Sequence, residues 1–120
     1  MNGQPPSVLV VDDDAGLRTL SRIILQLEGF EVREAASLAE ADAALAERRP
    51  DAVLLDVHLG MEQSEHLFAR LRADGIPVAA VTGTADLADV NEWADETLAK
   101  PYEPGALAAL ARRLARVDPE

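Results

Sequence analysis

The sequence predicts an α/β domain organised as a doubly wound sheet of five parallel strands, with helices on both faces. Short apolar runs alternate with segments whose apolar residues recur every three or four positions, and this alternation repeats five times within 120 residues. Strands that are separated by helical crossovers pair in parallel and are covered on both faces. Five such units are too few for an eight-stranded barrel.

Three of the five predicted strands are short, continuous runs of apolar residues. Continuous runs of this kind suit strands that are buried on both faces of a sheet. The second strand has a weaker pattern than the others, and the fifth is brief. The predicted strands are residues 8–11, 30–35, 52–55, 78–81 and 97–99.

An amphipathic helix is predicted after the first strand. Its apolar residues recur at spacings of three and four from Leu17 to Leu27, which places them on one face of a helix. Asp14 is a suitable N-cap, and Gly29 can end the helix in the left-handed conformation.

Further helices are predicted between the later strands and at the end of the chain. Ser37 and Glu40 form a capping box that begins the second helix. Apolar residues within 67–71 belong to the third helix, and residues 86–93 predict a shortened fourth one. Pro104 suits the first turn of the last helix, whose Ala-rich body favours helical structure.

The composition is that of a globular domain, with 48% apolar and 28% charged residues. We expect a single domain over residues 1–120, with its core at about 7–116. No apolar run is long enough to span a membrane, and residues 1–7 lack the apolar stretch of a secretory signal. The initial Met favours a native start, although a longer parent protein is an open alternative. The absence of cysteine excludes disulfides and thiolate chemistry.

Acidic residues outnumber basic ones by 22 to 11, which gives a formal net charge of −11. Nucleic acid is therefore an unfavourable partner, since its binding depends on Lys and Arg that neutralise phosphates. We expect neither a nucleic-acid nor a membrane partner. Lys100 is the only lysine in the chain, and the other basic residues are all arginine. This preference hints at a need for a compact ammonium group at position 100.

Polar side chains suited to phosphoryl chemistry stand where the predicted strands end. Parallel strands bring their carboxyl ends to one edge of the sheet, where ligands bind. Clustered carboxylates repel one another, and Mg²⁺ held by one or two of them relieves the repulsion. A neighbouring carboxylate can then form an aspartyl phosphate, assisted by an ammonium and a hydroxyl. The alternative is that these residues cap helices or face solvent. The residues concerned are Asp12, Asp13, Asp14, Asp56, Thr82 and Lys100.

Four motifs, in this order and spacing, resemble the receiver domain of bacterial two-component response regulators. They are Val-Leu-Val-Val-Asp-Asp-Asp at 8–14, Leu-Leu-Asp-Val at 54–57, Val-Thr-Gly at 81–83 and Leu-Ala-Lys-Pro-Tyr at 98–102. The resemblance covers about residues 7–116. It implies a flavodoxin-like sheet with strand order 2-1-3-4-5 and a shortened fourth helix.

The resemblance also implies a role for each motif residue. Asp56 matches the phosphoacceptor, Thr82 the hydroxyl residue and Lys100 the phosphoryl-binding lysine. The peptide bond between Lys100 and Pro101 is often cis in this family. Asp13 matches the direct Mg²⁺ ligand, and Asp12 its companion that acts through water. The implied metal site therefore consists of Asp12, Asp13, Asp56 and the backbone carbonyl of His58.

Three departures from the usual receiver pattern occur together. Residues 59–64 lack the usual proline and the glycine that opens the third helix. Thr97 stands where receivers usually have a switch aromatic. The stretch from Thr82 to Lys100 is about one helical turn shorter than usual. These departures resemble an atypical subclass nicknamed the FAT GUY receivers. Residues 77–83 keep the Pro, Thr and Gly of its Pro-Phe-x-Phe-Ala-Thr-Gly motif but neither Phe. Trp93 and Tyr102 are the two candidate substitutes for the missing aromatic.

The resemblance implies a cytoplasmic protein that accepts a phosphoryl group from a sensor histidine kinase or a histidine phosphotransfer protein. It implies a phosphoryl shuttle, a sink or a partner-binding regulator, present as a monomer or weak dimer. Such a module catalyses only its own phosphorylation and dephosphorylation and is not otherwise an enzyme.

Two alternative functions fit parts of the sequence. A pseudo-receiver would keep the fold as an interaction module without using phosphorylation. A haloacid-dehalogenase-like phosphatase also uses an Asp after a buried strand, and Asp12 and Asp14 fit its signature superficially. Against it, Gly16 stands where that family has Thr or Val, the later acidic pair is missing, and the chain is too short for a cap domain.

Overall fold

Five parallel strands form a single sheet in the order β2-β1-β3-β4-β5, which confirms the predicted fold class. The computed structural model describes residues 5–56, 61–82, 94–100 and 102–116, with only the backbone at 61–65 and 82. The strands are β1 (Ser7–Val11), β2 (Glu31–Ala35), β3 (Ala52–Asp56), β4 (Val78–Thr82) and β5 (Glu96–Ala99).

In the described part of the chain, four helices connect or follow these strands. They are α1 (Ala15–Leu27), α2 (Leu38–Glu47), α3 (Met61–Ala73) and α4 (Pro104–Ala115). The short helix predicted over 86–93 lies outside the described residues. Within those residues, no helix is both long enough and apolar enough to cross a membrane.

Each face of the sheet has its own apolar core. On one face, alternate strand residues such as Leu9 and Val53 pack against Leu71 of α3 and residues of α2. On the other face, Val10 and its equivalents in neighbouring strands pack against α1 and α4, with Leu107 almost fully buried. Successive side chains of a strand point to opposite faces of the sheet, so each apolar run contributes residues to both cores.

The predicted helix ends are confirmed by their backbone contacts. Asp14 caps α1 by accepting a hydrogen bond from the Leu17 amide at 3.1 Å. Ser37 caps α2 in the same way through the Glu40 amide at 3.1 Å. Gly29 follows α1 with a φ of 96°, a conformation that residues with a Cβ rarely adopt. These caps fix where the chain turns from strand to helix.

Two strands end on the polar residue that follows their apolar run, as the sequence predicts. Asp56 and Thr82 are the last residues of β3 and β4, because Asp56 is in register with Val81 and Thr82 with Ala99. Each polar residue is therefore held by the backbone of the sheet, and its position does not depend on a loop.

Candidate functional site

The first acidic residue of the site lies directly after the central strand β1. The Asp12 amide donates to the carbonyl of Ala35 at 3.0 Å, which continues the pairing of β1 with β2. One Asp12 carboxylate oxygen, Oδ1, accepts from the Asp14 amide at 2.9 Å and closes a tight turn before α1. Only 6% of Asp12 is exposed, so its carboxylate sits within the edge of the sheet.

Asp56 stands beside Asp12 at the carboxyl end of the neighbouring strand. It is only 3% exposed, and β3 pairs with β1 on one side and β4 on the other. One carboxylate oxygen from each of Asp12, Asp13 and Asp56 lies within 4.8 Å of the other two. Asp13 is exposed, so this acidic cluster opens to solvent on one side. Asp14 is instead used as the cap of α1.

The single lysine of the chain reaches this acidic cluster from the end of β5, which lies two strands away from β3 in the sheet. Lys100 follows β5, and its Nζ lies 3.2 Å from Oδ2 of Asp12 and 3.3 Å from Oδ2 of Asp56. Its side chain is 17% exposed. The structure therefore brings Asp12, Asp13, Asp56 and Lys100 together from three different strand ends.

Burial and mutual charge shift the pKa values of two of these groups. Burial raises the pKa of Asp12; the hydrogen bond from the Asp14 amide opposes this, and repulsion from Asp56 adds to it. Burial alone lowers the pKa of Lys100, but attraction to Asp56 and Asp12 outweighs it, and the pKa is raised. Lys100 is therefore protonated at neutral pH, whereas ionising Asp12 has a cost that a bound cation would offset.

Other predicted site residues are only partly described. Thr82 ends β4 beside Ala99 of β5, and its side chain lies outside the described part of the chain. His58 and Pro101 lie outside the described residues, as do their predicted metal contact and cis peptide bond. Thr97 lies in β5 and is half-buried.

Two contacts around the site were not predicted from the sequence. Arg18 Nη1 donates to the backbone carbonyl of Asp12 at 2.7 Å. The hydroxyls of Ser21 and Tyr102 are hydrogen-bonded at 2.7 Å, which joins α1 to the segment after Lys100. A serine on the apolar face of α1 is the signal that could have indicated the second contact, since a buried hydroxyl needs a partner.

The donor set of the acidic cluster fits a hard divalent cation. Mg²⁺ prefers oxygen ligands, keeps several waters and is bound through one or two carboxylates together with a phosphate group. Asp13 and Asp56 would hold the ion directly, with Asp12 as their companion. Lys100 contacts the Asp12 and Asp56 carboxylates of this cluster.

Comparison with known proteins identifies the family. The model of the response regulator receiver domain matches residues 8–112 of this chain. The chain belongs to the response regulator receiver domain family. Receiver domains of this kind serve two-component signalling, interact with histidine kinases or phosphotransfer proteins and bind Mg²⁺ at an acidic pocket. In this chain, Asp12, Asp13 and Asp56 form an acidic cluster.

Curated relatives show the same receiver region within longer proteins. The chain is 40% identical over 119 residues to the DNA-binding response regulator MtrA of Mycobacterium tuberculosis, covering 94% of this chain and 52% of that protein. It is 30% identical to the phosphate regulon transcriptional regulatory protein PhoB of Pseudomonas aeruginosa, covering 92% of this chain and 52% of that protein. The chain thus spans about half the length of these curated relatives.

Solved receiver structures share the fold over nearly their whole length. A CheY-like response regulator receiver domain protein from Methanospirillum hungatei superposes with a TM-score of 0.83 at 29% identity, covering 94% of this chain and 95% of that one. A response regulator from Thermotoga maritima gives a TM-score of 0.83 at 26% identity, covering 93% of this chain and 98% of that one.

Proposed function

We propose that this receiver domain accepts a phosphoryl group on Asp56 from a phosphohistidine protein, in the presence of Mg²⁺. The observation that carries the proposal is the position of the Lys100 ammonium, 3.3 Å from a buried Asp56 carboxylate and 3.2 Å from Asp12. An ammonium at this point can neutralise charge on a phosphoryl group that arrives at Asp56.

In the proposed transfer, a carboxylate oxygen of Asp56 attacks the phosphorus atom of phosphohistidine. The P–N bond breaks, a P–O bond to Asp56 forms, and the imidazole leaves with the electron pair of the broken bond. Lys100 stays protonated and pairs with a phosphoryl oxygen, while the Thr82 hydroxyl donates to another. Asp12 and Asp13 hold the cation site. When bound there, Mg²⁺ would neutralise developing negative charge on the phosphoryl oxygens.

Acetyl phosphate provides a direct test, because it supplies a phosphoryl group without a protein donor. With Mg²⁺, intact-mass measurement should show one added phosphoryl group, which disappears in Asp56→Asn. Asp42→Asn is the matched control, since Asp42 is an exposed carboxylate on α2 that pairs with Arg70. Absence of an adduct from acetyl phosphate and from every histidine kinase tried would refute the proposal.

An apolar stripe on α1 supports a protein donor. Among the described residues, the large apolar side chains that are exposed are Leu20, Ile23 and Leu27, which share one face of this helix. Because α1 begins directly after the acidic cluster, a donor bound at Asp56 would extend over this helix. We therefore assign the stripe to an apolar helical face of the phosphohistidine donor.

The donor contact can be separated from the chemistry at Asp56. Ile23→Asn should slow phosphoryl transfer from a cognate histidine kinase at least tenfold and leave labelling by acetyl phosphate unchanged. Ala43→Asn, a similar change at an exposed position of α2, should alter neither rate. Equal transfer by wild type and Ile23→Asn would rule out the stripe as the docking surface.

The three departures from the usual receiver pattern support membership of the FAT GUY subclass, with residues 1–120 acting as one receiver unit. Thr97 stands in β5 where a switch aromatic is usual, and the Thr82–Lys100 stretch is short. This subclass favours a phosphoryl shuttle, a sink or a partner-binding regulator. A phosphotransfer profile against the histidine kinases of the host, with the lifetime of the label, distinguishes these roles: rapid loss indicates a sink.

The names of the relatives favour a second role, as the phosphorylation-switched part of a transcriptional regulator. MtrA is described as DNA-binding, and this chain covers about half of it. The net charge of −11 opposes direct DNA contact by this domain itself, so a phosphorylation-dependent protein contact would transmit the signal. If no adduct forms on Asp56 and Asp56→Asn leaves regulation of that partner unchanged, a pseudo-receiver role replaces both proposals.

A further inference from the structure

Arg18 connects helix α1 to the backbone of the acidic cluster. Its Nη1 donates to the carbonyl of Asp12 at 2.7 Å, and its Nε lies 3.4 Å from Oε1 of Glu34 on β2. The side chain is only 18% exposed, so neighbouring atoms hold the guanidinium on more than one side. Arg18 therefore joins the first turns of α1 to the edge of β2 through the loop that carries the acids.

The carbonyl that Arg18 contacts belongs to the peptide between Asp12 and Asp13. The Asp12 side chain is already fixed, because Oδ1 accepts from the Asp14 amide and Oδ2 from Lys100. Asp13, in contrast, is exposed, and its direction depends on the orientation of the peptide that precedes it. A hydrogen bond from a charged donor to this carbonyl restrains that peptide and so aims the Asp13 carboxylate.

Arg22 provides an internal comparison one turn further along α1. Its Nε lies 2.9 Å from Oε2 of the same Glu34, and its Nη1 contacts Gln26. Arg18 and Arg22 thus share an acidic partner and a helix face, and the contact with the Asp12 carbonyl distinguishes Arg18.

We propose that Arg18 is a positioning residue for the cation site, which it controls through the Asp12–Asp13 peptide. The inference rests on the proposed function, since it concerns how the acidic cluster is prepared for Mg²⁺. Arg18 contacts the Asp12 carbonyl and Glu34, so its proposed effect on the ion is transmitted through this peptide. Residues that orient metal ligands in this way typically change metal affinity by about 10- to 100-fold when they are replaced.

Isothermal titration with Mg²⁺ tests this role, because the sign of the effect separates positioning from charge. Removing a cation near the site would by itself tighten Mg²⁺ binding, whereas loss of positioning weakens it. Arg18→Gln should therefore weaken Mg²⁺ binding about tenfold. Arg18→Lys keeps the positive charge and an N–H donor group, so it should recover much of the lost Mg²⁺ affinity. Arg22→Gln should bind Mg²⁺ like wild type.

Amide hydrogen exchange of the metal-free protein gives a second measurement that needs no Mg²⁺. The Asp14 amide, which donates to Asp12, should exchange at least several-fold faster in Arg18→Gln and at the wild-type rate in Arg22→Gln. Unchanged exchange, unchanged or tighter Mg²⁺ binding, or equal effects of the two substitutions would overturn the inference. If wild type binds no Mg²⁺, the proposed function fails, and exchange alone decides the role of Arg18. If Arg18→Gln does not fold, Arg18→Met, which keeps the aliphatic part of the side chain, is compared with Arg22→Met in the same two measurements.

Discussion

Lys100 carries an ammonium between two buried carboxylates, and its removal should destabilise the metal-free protein. Lys100→Met keeps an unbranched side chain of similar length but removes the charge. Asp12 and Asp56 would then remain as neighbouring buried anions, with carboxylate oxygens within 4.8 Å of each other.

The geometry sets the size of this effect. At an effective dielectric of about 20, a contact of 3.2 or 3.3 Å corresponds to about 5 kcal/mol of attraction, and two charges 4.8 Å apart to about 3.5 kcal/mol of repulsion. Desolvation of the ions offsets much of this attraction. Buried pairs that lose one partner typically cost 3–5 kcal/mol, so we expect a loss of about 3 kcal/mol in the free energy of unfolding.

Urea unfolding at neutral pH with a chelator measures this loss, and Arg113→Met is its matched control. Arg113 lies 3.3 Å from Glu96, almost the same distance, but its side chain is 57% exposed. Exposed ion pairs contribute about 0–1 kcal/mol, so Arg113→Met should change the free energy of unfolding little. Saturating Mg²⁺ should restore part of the stability of Lys100→Met, because the ion binds the folded state and neutralises the same carboxylates.

The loss of unfolding free energy in Lys100→Met should depend on pH in a definite direction. The raised pKa of Lys100 means that its contribution is fully present below its ordinary pKa and is lost only as pH rises through the higher, folded-state value. The raised pKa of Asp12 means that its ionisation costs stability as pH rises through the folded-state value. The difference in the free energy of unfolding between wild type and Lys100→Met should therefore narrow at mildly acidic pH, as Asp12 takes up a proton. A loss below about 0.5 kcal/mol at neutral pH, within the range of ordinary surface substitutions, would refute this electrostatic account.

Three further predictions concern the site and the core. Mg²⁺ affinity should weaken as pH falls through the raised pKa of Asp12, and titration calorimetry across pH should show a flatter dependence for Asp12→Asn. Tyr102→Phe leaves the buried Ser21 hydroxyl without its partner and should cost about 1–3 kcal/mol in urea unfolding, with Ser21→Ala adding little to it. Leu71→Ala removes a fully buried side chain of α3 and should cost about 2–5 kcal/mol in the same assay.

The fold was predictable because continuous apolar runs form its buried strands. Residues 8–11 and 52–55 are buried along their length, and the sheet has helices on both faces, as continuous apolar runs indicate. The caps at Asp14 and Ser37 were readable because their hydrogen bonds join residues three apart in sequence. The strand that carries Asp56 ends at this residue, as predicted, and the backbone pairing includes it.

The site was predictable as a set of positions, because parallel strands bring their carboxyl ends to one edge. That rule placed Asp12, Asp56 and Lys100 together without any distance. The two lysine contacts near 3.2 Å depend on how far β5 lies from β3 and on the direction of the side chain after Ala99. Sequence spacing contains neither quantity, so it could predict the charge balance of the site but not its geometry.

The supporting contacts were missed because each joins the site to a residue whose own pattern has a simpler explanation. Arg18 fits the polar face of an amphipathic helix, and nothing in its spacing indicates the carbonyl of Asp12 as its partner. Ser21 and Tyr102 are 81 positions apart, so their hydrogen bond exists only once α1 and α4 pack on the same face of the sheet. Contacts of this kind are consequences of tertiary packing, and the proposed role of Arg18 would let one of them adjust cation affinity without changing any acid of the cluster. A substitution at Arg18 is thus expected to tune the proposed chemistry, whereas one at Asp56 abolishes it.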